Sequence, residues 1–209
     1  MKRLIIICEG ETEKEFCDVM LKNYFSDKNI TVYTPLIKTS HGGIVSWGKL
    51  KNEIETHLRQ DTGAYVTTFI DLYRLPSNYP NYNVKDPDSM QVGMKQGIDT
   101  TLSSRFIPYI QRHEFECFIF ASLEILKRTF AGAGNNFLEI EKVIAQYSSN
   151  LEDINDGSAT APSDRLKKYL PEYEKGLDGA YLADEIGLLI IREKCPRFNN
   201  WIAELERIV

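Results

Sequence analysis

The chain has 209 residues, 43% of them apolar and 26% charged, with a formal net charge of −5. That length and balance suit one folded domain, or one with a small appendage, and exclude a disordered chain. No apolar run approaches the roughly 20 residues that span a bilayer, and the acidic balance argues against coating nucleic acid by bulk charge attraction. A local basic patch or a bound metal would still let such a protein hold a phosphate.

The opening MKRLIIICEGETE superficially suggests a secretion signal, with two basic residues before an apolar run. The run is short, ends in acidic residues and lacks a small-residue cleavage site, so a buried strand and a cytoplasmic location are expected. Cys8, Cys17, Cys117 and Cys195 are far apart and form no C-x-x-C pair. Neither zinc nor a disulfide framework is expected of them, and burial as small hydrophobes is.

Residues 3–8 read as a strand buried on both faces of a parallel sheet. Thr12 with Glu15 three residues on reads as a capping box, opening a helix over 12–25 with Phe16, Val19, Met20 and Tyr24 on one stripe. Residues 31–37 read as a second strand, with Pro35 marking an edge position. His41-Gly42-Gly43 is an expected loop, residues 46–60 an amphipathic helix, and residues 64–71 a third strand. A Pro- and Tyr-rich loop over 74–89 breaks this rhythm. A helix over 90–102, a strand over 105–111 and a helix over 113–129 follow.

Beyond Gly132 the pattern is helical: 137–148, a helix from Pro162 after the polar loop Asn155-Asp156-Gly157-Ser158, then 179–194 and 197–208. Alternating strands and helices with short connections predict an α/β fold, a mainly parallel sheet flanked by helices. The expected organisation is a core over 1–130 and a helical region over 131–209 packed on it, in one structural domain.

Chemistry is expected first at Glu9 and Asp71, each at the C-terminal end of an apolar strand, where α/β sheets bind ligands. Gly10 allows a sharp turn and close approach of a ligand. Glu13, four residues after Glu9, falls in the first helical turn and can face the same mouth. Preference for acids at helix N-termini accounts for Glu13 and Glu15 without any function, but not for Glu9, which precedes the cap. Acids from two strand ends can share one hard cation such as Mg²⁺.

Glu114 and Glu116 form a further acidic pair beside His113. On a helix they diverge by about 200°, so one of them at most faces a site. A solvated helix start explains them equally well. Ser163, Arg165 and Lys167, at the start of the helix from Pro162, are candidates to hold a phosphate, although most such runs are solvated faces. No P-loop, dinucleotide-binding or serine-hydrolase signature is present.

The run IIICEGETE resembles the opening motif of Toprim domains, the metal-binding module of topoisomerases, bacterial primases and overcoming-lysogenization-defect nucleases. In that family a Glu follows the first strand and a D-x-D pair follows a later one. Glu9 matches the first, Asp71 matches the first Asp of the pair, and Tyr73 stands where the second acid would be. Glu13 resembles a second acid that the overcoming-lysogenization-defect nucleases carry one turn on.

CEGETEKEF, FIDLYRLP, HEFECFIF, INDGSATAPSDRLKKY and IGLLIIREKCPRFNNWI together resemble, over nearly the whole chain, the domain of unknown function 4276 family of Toprim-like bacterial proteins. The resemblance implies a Rossmann-like Toprim fold and a bacterial defence or mobile-element setting. A neutral Tyr phenol is a poor Mg²⁺ ligand. Either Glu114 or Glu116 supplies the missing carboxylate, or one metal binds weakly, or catalysis is lost.

Three functional readings follow. The first is a nuclease of DNA or RNA using Mg²⁺ or Mn²⁺ held by Glu9, Glu13 and Asp71, with Glu114 or Glu116 as a further ligand or base. The second is a non-catalytic module docked to a partner such as an ATPase. The third is transfer or hydrolysis of a small nucleotide. A homodimer is compatible with each of them.

Overall fold

In the computed structural model, residues 2–38, 43–155, 157 and 159–208 are described. The His41-Gly42 part of the first expected loop, and Asp156 and Ser158 of the later one, lie outside them. The chain divides into two compact units, Met1–Gln111 with Trp201–Val209, and Arg112–Asn200.

The first unit is built on strand β1, Lys2–Cys8. Leu4 through Cys8 are all buried, as expected where helices cover both faces of a parallel strand. The sheet order is β2-β1-β3-β4, with β2 at Ile30–Tyr33, β3 at Ala64–Asp71 and β4 at Phe106–Ile107; β5, Ile110–Gln111, also pairs with β3. All these pairings are parallel.

After β1 the chain enters helix α1, Glu11–Phe16, then a π-helical turn at Cys17–Leu21, then α2, Lys22–Ser26. The expected Thr12–Glu15 capping box is replaced by one residue pair earlier in the chain. Gly10 is the N-cap, and its N–H donates to Glu13 Oε2 at 3.0 Å. The regular ladder of β2 stops before Pro35, which has no N–H to give. Pairing then resumes only as a bridge between Cys8 and Leu36.

Helix α3, Trp47–Gln60, buries Leu50, Ile54 and Leu58 at helical spacing in a core shared with Ile5, Ile7 and Val66. Helix α4, Pro87–Gly97, starts before the expected residue 90 because Asp86 caps it. The Asp86 carboxylate accepts the Ser89 N–H at 3.0 Å, with Pro87 pre-set in the first turn.

The single strand expected over 105–111 is instead the two short strands β4 and β5. Pro108 cannot donate to a ladder, and the Tyr109 N–H turns to Thr68 Oγ1 at 3.0 Å. Trp201 closes this side of β3. Its ring stacks on Tyr109 at 4.4 Å and 9°, and its Nε1–H donates to Thr67 Oγ1 at 2.9 Å.

The second unit opens with a 3₁₀ segment, Phe115–Ala121, in which Phe115 through Phe120 are all buried. Helix α5, Leu123–Thr129, follows after Ser122, whose side chain accepts the Ile125 N–H. The helix expected over 113–129 is therefore two segments of different type. Helices α6 (Asn136–Gln146), α7 (Pro162–Tyr169), α8 (Lys175–Ile186) and α9 (Leu188–Lys194) come next.

The break between α8 and α9 falls at Gly187, whose φ of +87° suits glycine and interrupts the single helix expected over 179–194. Helix α10, Pro196–Glu206, is started by the buried Glu152 carboxylate, which accepts the N–H groups of Arg197 and Phe198. Among the described residues no helix is long and apolar enough to cross a membrane.

Candidate functional site

The ends of β1 and β3 lie side by side in the sheet, with Cys8 opposite Phe69. The Glu9 N–H donates to the Phe69 carbonyl at 3.1 Å, and the Glu9 carbonyl accepts the Gly43 N–H at 3.3 Å. The backbone is thus held while the side chain crosses to β3, where Glu9 Oε2 accepts the Asp71 N–H at 2.9 Å. This bond ties the Glu9 side chain to the backbone of Asp71, so the two acids stand at neighbouring strand ends.

Glu13 joins the same stretch through Gly10. A Cβ at Gly10 would stand 3.1 Å from Glu13 Oε2, tighter than most such contacts. A side chain at position 10 would press on the Glu13 carboxylate, while the extended φ of −140° is open to any residue. Glu13 and Asp71 are both buried, whereas Glu11 is exposed.

Tyr79, which carried no signal of its own within the Pro- and Tyr-rich loop, is buried and donates its hydroxyl to the Val45 carbonyl at 3.0 Å. Burial and the nearby Glu9 charge push its phenol far above the usual range, so it is a neutral group beside the acids. Among the described residues no three His, Cys, Asp or Glu side chains converge as a metal-holding group.

Glu114 and Glu116 belong to the second unit and make a cluster of their own. Glu114 accepts the Ser163 N–H at 3.1 Å and the Ser163 hydroxyl at 2.8 Å, so the anion at the start of α7 is the protein's own carboxylate. Arg165 is buried and donates Nε to the Thr160 carbonyl at 2.8 Å, while Lys167 is exposed. Lys175 lies 3.5 Å from Glu114 and 3.0 Å from Glu116. Its role was illegible in the sequence because it is distant along the chain from both acids. His113 has a φ of +63°, and burial, then the Arg112 charge, lowers its imidazole pKa.

Glu116 is fully buried. Burial raises its carboxyl above the ordinary 4.5; Lys175 opposes that shift and Glu114 adds to it. An acid whose pKa rises on folding binds its proton more tightly in the folded state. It therefore stabilises the fold most at low pH, and that contribution is lost as pH rises from near 4.5 through the raised value. Glu116→Gln removes this titration, so its stability in urea is expected to change less between pH 4.5 and pH 7.5 than that of the wild type. Parallel pH curves for the two proteins would show that Glu116 does not titrate in this window.

A mainly parallel sheet flanked by helices defines an α/β protein, with Glu9 and Asp71 standing at the ends of two neighbouring strands. The chain belongs to the family described as Domain of unknown function (DUF4276), whose profile matches residues 8–206. No curated protein matches the chain, and no solved structure does.

Proposed function

We propose that the acidic edge of the first unit binds Mg²⁺ or Mn²⁺ through Glu9 and Asp71, and that the protein hydrolyses phosphodiester bonds of DNA or RNA. The observation that supports this reading is the Glu9 Oε2 to Asp71 N–H bond, which ties one acid to the backbone of the other where two neighbouring strands end. Mg²⁺ commonly keeps several waters and takes one or two carboxylates, so a full three-acid cage is not required. The donor set fits that mode, with Glu13 shaping the backbone at Gly10.

Bound there, the ion would supply Lewis acidity toward a phosphoryl oxygen and an acidified water. Glu9 and Asp71 would fix its position, and Tyr79 would wall the site as a neutral phenol. The resemblance to Toprim domains supports the same assignment and the bacterial defence or mobile-element setting. Glu114 and Glu116 receive no step, because Ser163 and Lys175 already engage them.

The test is calorimetric titration of Mg²⁺ and Mn²⁺ into the wild type, Glu9→Gln and Asp71→Asn, followed by a cleavage screen on single- and double-stranded DNA and RNA. Saturable binding that both changes remove supports the reading. Absence of binding to the folded wild type overturns it.

One observation favours a non-catalytic partner module as a second reading. Leu177, Tyr181 and Leu189 are 71%, 53% and 76% exposed on α8 and α9, a surface suited to a docked protein such as an ATPase. An isolated chain that binds no metal and cleaves nothing would favour this reading.

A further inference from the structure

We propose that the turn bearing Tyr73 and Arg74 holds the substrate of the acidic site, and that this substrate is single-stranded nucleic acid. The inference rests on the phosphodiester reading and names its substrate class.

Two residues beyond Asp71 the chain makes a tight turn whose flanks are fixed. The Leu72 N–H donates to the Gln111 carbonyl at 2.9 Å, and the Leu75 N–H closes the turn on the Leu72 carbonyl at 3.2 Å. Leu72 and Leu75 are both buried, so only the two tip residues are free to serve a ligand. Tyr73 is 47% exposed, and the Arg74 guanidinium lies 4.9 Å from its ring centroid. Arg74 is exposed and has no acidic partner among the described residues.

Arg74 also sits at φ +60°, a left-handed conformation that strains any residue with a Cβ and that glycine adopts freely. A strained arginine, held beside an acidic site without a carboxylate partner, makes sense if its charge is needed there. Its planar fork matches a phosphate, and the chain's net charge of −5 leaves little bulk attraction for a polyanion. The exposed part of the Tyr73 ring offers a surface for one base. Bases inside a duplex are already stacked on their neighbours, so a base free to stack on Tyr73 comes from a single strand.

The experiment is fluorescence anisotropy in EDTA, where metal-dependent cleavage is blocked. The probes are a short labelled single-stranded DNA and RNA, their duplexes, and the same strands with abasic sites. Single strands are expected to bind more tightly than duplexes. Tyr73→Ala should weaken single-strand binding about tenfold or more, the range of one lost base stack, and Tyr73→Phe should retain it. Abasic sites should weaken wild-type binding and leave Tyr73→Ala unchanged. Tyr33→Ala, a comparably exposed tyrosine on β2 at 52%, should bind like the wild type.

Arg74→Gly should weaken binding and reduce the slope of log affinity against log salt by about one, while its Tm is no lower than that of the wild type. Equal binding of duplex and single strand, indifference to Tyr73→Ala, or no oligonucleotide binding by the wild type would overturn the inference. Metal titration judges the other reading separately. Single-strand binding that depends on Tyr73 and Arg74 in a protein that binds no cation would remove the phosphodiester reading and keep the turn only as a single-strand binding site. Cation binding without oligonucleotide binding would do the reverse.

Discussion

Glu9→Gln and Asp71→Asn are each expected to lower divalent-cation affinity at least about tenfold and to abolish metal-dependent phosphodiester cleavage, with the fold intact. Both substitutions keep the shape of the side chain and remove its charge. Gln at position 9 still carries an oxygen that can accept the Asp71 N–H now bonded at 2.9 Å, so the two strand ends stay tied. Glu9→Ala would also remove that acceptor and leave the N–H with a deficit of about 1–3 kcal/mol. Comparing the two variants at position 9 therefore separates lost ligand from lost structure. Glu13→Gln should have a smaller effect, because Glu13 lies within the first turn of α1 rather than at a strand end. Cation affinity that both charge-removing variants leave unchanged would place the ion elsewhere.

Trp201→Ala is expected to destabilise the protein by about 3–5 kcal/mol, the usual cost of emptying a buried Trp site. The ring is 3% exposed, stacks on Tyr109 at 4.4 Å, and also meets Phe69 at 5.3 Å. Its removal also strips the Thr67 hydroxyl of its indole donor. For a chain of this length that corresponds to a fall in Tm of roughly 10 °C. Trp201→Phe should lie between, keeping aromatic packing while losing the N–H. Urea unfolding followed by circular dichroism checks both, read as a shift of midpoint at constant slope. A shift worth under about 1 kcal/mol for the Ala variant would mean that the stack carries no such weight.

Much of the first unit was legible because its strands announce themselves. Leu4–Cys8 is a continuous apolar run and Val66–Ile70 a buried run rich in β-branched residues, and each is followed by the acid, Glu9 or Asp71, at its strand end. What local pattern could not reveal was the bond between them, since pairing of β1 with β3 is long-range. The helix start was misplaced at Thr12 because a Thr-x-x-Glu box is a common signal, whereas Gly10 caps α1 through Glu13 without any side chain of its own. The strand over 105–111 was expected whole because Pro108 is one residue in an apolar run; its missing N–H splits the strand in two.

In the second unit the difficulty was of another kind. Six consecutive buried residues, Phe115–Phe120, have no solvated face, so the one-face rule that locates a helix says nothing about their conformation. Glu114 and Glu116 looked like a solvated helix start or a ligand pair. Their partners, Ser163 and Lys175, are supplied by segments far along the chain.

The first unit is discontinuous in the chain, closed by residues 201–209 after the whole of 112–200 has intervened. A ribosome makes the sheet long before it makes the tryptophan that covers Tyr109 and Phe69. During that interval Tyr109 and Phe69 lack the ring that packs on them, and chaperone binding is expected to be strongest on chains stalled before Trp201.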